Sequence, residues 1–144
     1  MEDTEEAYDL YWLVQDYETD LAAFFDLFVA EGTKIKGGLE LCYPNGCLEV
    51  TTTNQLRELL LTRRPADQSH YLRATKFEGR LMDCSVHFNL DGSVVLGVAC
   101  SIADVDYFKQ IIAASFNTTA ILVSVLLPPP GSERELALMI KEKM

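Results

Sequence analysis

The stretch RLMDCSVHFNLDGSVVLGVACS, residues 80 to 101, constrains the fold of this chain more than any other. Two runs of alternating side chains flank the turn residues LDGS. In paired strands the side chains alternate between two faces, so a slip of one residue moves every apolar group to the wrong side. A left-handed bulge at Gly92 sets Phe88 opposite Val94, Val86 opposite Leu96, Cys84 opposite Val98 and Met82 opposite Cys100. That register collects one unbroken apolar face. Ser85, His87, Asn89, Ser93, Val95, Gly97 and Ala99 fall on the other face, which is small and mixed. Such a hairpin requires a layer packed on its apolar side, and Cys84 and Cys100 read as small buried hydrophobes within it.

The other segments supply that layer. YDLYWLVQ, residues 8 to 15, alternates as a strand, with Tyr8, Leu10, Trp12 and Val14 on one face and Asp9, Tyr11, Leu13 and Gln15 on the other. TDLAAFFDLFVAEG then switches to a helical period. Leu21, Phe24, Phe25, Phe28 and Val29 form its stripe, Thr19 can cap its start and Gly32 can end it. TKIKGG reads as a loop. Further helices are expected in TTTNQLRELLLTRRP, SIADVDYFKQIIAASFN and SERELALMIKEKM. The last two carry capping-box spacing at Ser101 with Asp104 and at Ser132 with Glu135. HYLRATKF, residues 70 to 77, reads as a strand, and TTAILVSVLL, residues 118 to 127, reads as a central strand because both its faces are apolar. The predicted order is βα-ββα-βββα-βα. Grouped strands of this kind imply an α+β fold, a mostly antiparallel sheet with helices packed on it. A chain of 144 residues fits a single domain, with residues 1 to 6 expected as a flexible acidic tail.

The hairpin LELCYPNGCLEV admits two registers. An Asn45-Gly46 turn sets Tyr43 opposite Leu48 and Leu41 opposite Val50, and gathers the apolar residues on one face. A Pro44-Asn45 turn with a bulge at Gly46 sets Leu41 opposite Glu49 and mixes the faces. The first is favoured by pattern, although Pro44 cannot donate a closing hydrogen bond. In it Cys42 and Cys47 lie diagonally, farther apart than a disulfide prefers, and in the second they point to opposite faces. CYPNGC is therefore expected to be a turn. Neither a zinc site nor any other cofactor is expected, because Cys84, Cys100, His70 and His87 are scattered in sequence.

Charge is distributed unevenly. Residues 1 to 31 hold ten of the 22 acids and none of the 12 bases, together with seven of the 14 aromatics. Asp9, Tyr11, Asp16, Tyr17, Glu18, Asp20 and Asp26 are the candidate residues of a partner-binding surface. Aromatic rings among unpaired carboxylates suit a basic protein partner, with rings as anchors and charge speeding association. Direct nucleic-acid binding is not expected, since the basic clusters Lys34 with Lys36 and Arg63 with Arg64 are small. No run is long and apolar enough to span a bilayer, and MEDTEE lacks the features of a secretory or organellar signal, so a cytoplasmic protein is expected.

In size, acidity and layout, and above all in MEDTEEAYDLYWLVQDYETDLAAFFD, the chain resembles bacterial toxin-immunity proteins as a class. That resemblance implies a non-catalytic inhibitor of a toxin domain, often a nuclease, whose cationic channel an acidic surface would cover. An acidic secretion chaperone is the neighbouring alternative. A small enzyme or ligand-binding domain built on Ser85, His87 and Asn89 is the alternative of another class.

Overall fold

The computed structural model describes residues 7–30, 32–74, 76–77, 80–125 and 129–143. The expected acidic tail, residues 1–6, lies outside them. The order is β1 (Tyr8–Leu13), α1 (Tyr17–Phe28), β2 (Lys34–Tyr43), β3 (Gly46–Thr52), α2 (Thr53–Thr62), β4 (Gln68–Leu72), β5 (Leu81–Phe88), β6 (Val94–Cys100), a 3-10 turn (Ile102–Asp104), α3 (Val105–Phe116), β7 (Ile121–Ser124) and α4 (Glu133–Lys143). This is the expected α+β order. Five strands form one antiparallel sheet in the order β4-β5-β6-β1-β7, and β2 and β3 pair separately.

The β5–β6 register follows the binary pattern from Phe88↔Val94 through Cys84↔Val98. Gly92 adopts φ +87°, and the expected bulge forms there. The far end differs, because a register shift between Leu81 and Asp83 makes Leu81, not Met82, the partner of Cys100. Leu10, Trp12, Cys84, Val86, Leu96 and Val98 point to one face and form a core with Phe24, Phe28, Leu56, Phe108 and Ile112 from the helices α1 to α3. Trp12 lies between Phe28 and Phe116, at ring-centroid distances of 6.3 and 5.0 Å.

The expectation for residues 118 to 127, of which 126 and 127 lie outside the described residues, is corrected. β7 is a four-residue edge strand paired with β1. Both its faces are apolar because α4 lies on the other side of the sheet: Ile121 and Val123 join the main core, while Leu122 packs with Leu136 of α4, Tyr11 and Val95. Helix starts differ in detail. Asp16, not Thr19, caps α1 by accepting from the Thr19 N–H, and Thr52 caps α2 by accepting from Gln55. Ser101 makes no side-chain cap, and Asp104 instead accepts from Arg80 at 2.8 Å. Ser132 accepts from the Glu135 N–H as its spacing predicts, while the Glu135 carboxylate reaches back to the Gly131 N–H.

Asp91, in the β5–β6 turn, ties that turn to α4. Its carboxylate accepts from Ser93 and from the Glu133 N–H at the start of α4, and these bonds hold its pKa below the usual carboxylate value. A depressed folded-state pKa contributes stability above the unfolded value that is lost as pH falls through the folded one. Asp91→Ala is expected to speed amide hydrogen exchange across Glu133–Lys143 severalfold at neutral pH, and to leave less difference between wild type and variant in acid.

The β2–β3 hairpin also departs from expectation. Its loop is Pro44-Asn45, with Tyr43↔Gly46, Cys42↔Cys47, Leu41↔Leu48, Glu40↔Glu49 and Leu39↔Val50. The cysteines are directly opposed, Cα to Cα 4.0 Å, and are joined as a disulfide. Pro44 decides the register: its fixed φ and missing N–H suit a loop position, not a strand position. TKIKGG is not a loop but the start of β2, bulged where Gly37 and Gly38 take φ near +77° and +75°. The hairpin attaches to the edge of β4 through one side chain. The Gln68 amide accepts from the Cys42 N–H at 3.1 Å and donates to the Cys42 carbonyl at 2.6 Å.

Candidate functional site

Folding disperses the seven candidate residues. Asp26, in the last turn of α1, is bound by Arg57 of α2 at 2.6 Å. Lys76 donates to the carbonyl oxygen of the same residue. Asp20 is buried and accepts from the Gln15 and Asp16 N–H groups, closing the turn into α1. Tyr17 is half-buried: its hydroxyl donates to the Leu60 carbonyl at 2.7 Å, and the Arg64 guanidinium stacks 4.3 Å from its ring centroid. Tyr11 is 4% exposed. The outward tyrosines expected from the sequence are thus drawn in, and bases from later in the chain meet part of the acidic segment. Asp16 and Glu18 stay exposed at the start of α1. Asp9 stands at the opposite end of β1, on the sheet face that carries α4.

That face is built in three rows by the strand register. Leu13, Val95, His87 and Ser69 form the first. Leu122, Tyr11, Gly97, Ser85 and Tyr71 form the second. Ser124, Asp9, Ala99 and Asp83 form the third. Leu136, Met139 and Ile140 of α4 cover the β1–β7 side of these rows. Gly97 is required where it stands, because the Tyr11 ring lies over it. A Cβ there would sit 2.9 Å from the ring and 2.7 Å from the Ser85 oxygen.

Beyond α4 the face carries two carboxylates flanking Ala99. Neither Asp9 nor Asp83 has a hydrogen bond or ion pair among the described residues. Partial burial raises the pKa of Asp9, and burial followed by the charge of Asp9 raises that of Asp83. Burial and then these two charges push the Tyr71 phenol up as well, yet the residue is 57% exposed. Asp83 escaped the sequence reading. It shares a strand face with Ser85 and His87, and the small partners Ala99 and Gly97 opposite were the signal for an open floor.

His87 is held at both ring nitrogens. It is 1% exposed, with Nδ1 2.8 Å from the Ser69 hydroxyl and Nε2 2.8 Å from the Ser85 hydroxyl. Tyr11 and Tyr71 meet its ring edge-on. Burial, with a smaller push from His70, lowers its pKa to about 4. A neutral ring satisfied at both nitrogens is a weak base with its partners already engaged. Asn89 is not part of this group, since its amide donates to Ser93 within the β5–β6 turn. What the face offers chemically is negative charge beside an exposed ring. No helix among the described residues is long and apolar enough to cross a membrane. Comparison of the chain with family models, with curated proteins and with solved structures finds no match.

Proposed function

We propose that this chain is a non-catalytic protein of the cytoplasm that binds and neutralises a basic protein partner on the open face of its sheet. One observation supports this above the others: Asp9 and Asp83 stand on either side of Ala99, partly desolvated and without a base among the described residues. An incoming lysine or arginine supplies the missing countercharge, and its attraction is strengthened where water is already partly excluded. Tyr71 provides an exposed ring beside the pair, the kind of side chain that anchors interfaces. In this reading, which follows the resemblance to immunity proteins, the partner is a basic toxin domain of bacterial type. Of the seven residues expected from the sequence, Asp9 and Tyr11 belong to this face, and Asp16 and Glu18 are assigned no role in it.

The carboxylates that serve docking oppose folding. A carboxyl whose folded pKa is raised loses stability as pH climbs from its unfolded value through the folded one. Asp83→Asn is therefore expected to raise the thermal midpoint at neutral pH, with the gain vanishing below the carboxylate range. The Asp9→Asn/Asp83→Asn variant is expected to bind the basic protein that co-purifies from the native host at least about tenfold more weakly, a loss near 1.4 kcal/mol. Asp16→Asn/Glu18→Gln is expected to leave that affinity unchanged. Titration calorimetry at two salt concentrations reads both, since screening weakens a charge-led contact. Affinity indifferent to the first variant and to salt would remove the proposal.

A further inference from the structure

The β2–β3 hairpin carries a feature that neither packing nor the proposed docking face uses. Its sequence is mirrored about the turn, Glu40-Leu41-Cys42 against Cys47-Leu48-Glu49, and the register places each residue opposite its twin. Leu41 is buried in the main core. Glu40, Cys42, Cys47 and Glu49 share the other face, since side chains two apart on a strand point the same way. Two glutamates directly opposed across a strand pair repel and destabilise it. No salt bridge relieves either one among the described residues. A Glu40 carboxylate oxygen and the two sulfur atoms all lie within 4.8 Å of one another. Cys47 and both glutamates are exposed, so solutes reach this face.

We propose that the reduced hairpin binds a thiophilic divalent cation, with Zn2+ as the type case, through the Cys42 and Cys47 thiolates and a Glu40 oxygen. The fourth position is left to water. Thiolate and carboxylate together suit zinc, at about 2.3 Å from sulfur and about 2.0–2.2 Å from oxygen. Two thiolates on one tetrahedral zinc stand about 3.8 Å apart, a span open to a pair whose Cα atoms are 4.0 Å apart. The disulfide and the metal site are alternatives. A dithiol reductant gives two electrons and two protons to the S–S bond, leaving two thiols and becoming a disulfide itself. Metal binding then releases the two thiol protons to solvent. Oxidation by a small-molecule disulfide re-forms the Cys42–Cys47 bond and frees the ion. In a reducing cytoplasm, where the proposed function places the chain, the dithiol form is the ordinary one. The cation also offsets the repulsion between Glu40 and Glu49.

Anaerobic titration of the protein, reduced with a phosphine, with Co2+ and then with Zn2+ tests this. The expected result is one equivalent of Co2+ bound with a near-ultraviolet thiolate-to-metal band, two protons released, and displacement by Zn2+. Protein with its disulfide intact gives no band. The Cys42→Ser/Cys47→Ser variant also loses it, although the buried thiols Cys84 and Cys100 remain. Glu40→Gln weakens binding at least about tenfold, the least expected when a ligand rather than an outer-shell partner is removed. Far-UV circular dichroism checks that each variant folds, and alanine replaces serine at either cysteine if one does not. A band that survives loss of both hairpin cysteines, equal affinity in Glu40→Gln, or no stoichiometric uptake by the reduced protein would each overturn the assignment.

Discussion

Phe28→Ala is expected to lower the free energy of unfolding by about 3–5 kcal/mol. Phe28 is fully buried at the end of α1 and joins three parts of the core. Its ring meets Phe24 of the same helix at 5.7 Å, Trp12 of β1 at 6.3 Å and Phe77 at 6.0 Å. Alanine leaves a cavity between helix and sheet that neighbouring aromatic rings cannot collapse into without losing their own contacts. A domain of this size has roughly 5–15 kcal/mol in all, so the loss is a large share. Urea unfolding followed by far-UV circular dichroism measures it. Trp12, the lone tryptophan of the chain, is expected to shift its emission to longer wavelength as water gains access. Full stability in this variant would mean that α1 does not close the core as described.

Gly97→Ala is expected to cost about 1–3 kcal/mol and to reshape the proposed docking face. The position is strand interior, where alanine is otherwise acceptable, so the cost comes from what surrounds it. The new methyl would meet the Ser85 oxygen and the Tyr11 ring well inside contact distance. Tyr11 sits between β6 and α4, and displacing it disturbs Val95, Leu122 and Leu136 together. In a Tyr11→Leu/Ser85→Ala background the same glycine replacement is expected to cost measurably less, a coupling that a double-mutant cycle reads directly. Additive costs would show that the ring and the glycine are independent. The single variant should also weaken the proposed partner contact, because Tyr11 lies beside Asp9 on β1 and in the same row as Tyr71.

The fold was largely legible, and the reasons are local. The β5–β6 pairing could be read because Phe88, Val86 and Cys84 must face one way, and only one turn achieves that. The β2–β3 pairing could not. Its apolar residues gather equally well in a register two residues away, and the tie was broken by the proline in its loop. β7 was mistaken for a central strand because burial on both faces has two causes, neighbouring strands on either side or helices above and below. Here the cover is α4 on one face and the main core on the other, which a period cannot distinguish.

The candidate site was legible only in part, for a reason that lies in the third dimension. A count along the chain shows ten acids without a base, but Arg57 and Arg64 come from α2 and the segment after it. Their positions on Asp26 and Tyr17 depend on how α2 packs against α1. Asp9 was found because its strand alternation was clear. Asp83 was not, because its importance depends on the pairing of β6 with both β5 and β1.

The single amide of Gln68 has a bearing on how the molecule behaves in a crowded solution. Sheet margins with free N–H and C=O groups can recruit strands from neighbouring molecules and seed polymers. Here one margin is bridged to the second ribbon by a side chain that imitates a peptide group. The other margin is four residues long and offers an intruding chain little to zip onto. A sheet finished at both sides in this way is suited to staying dispersed at high concentration.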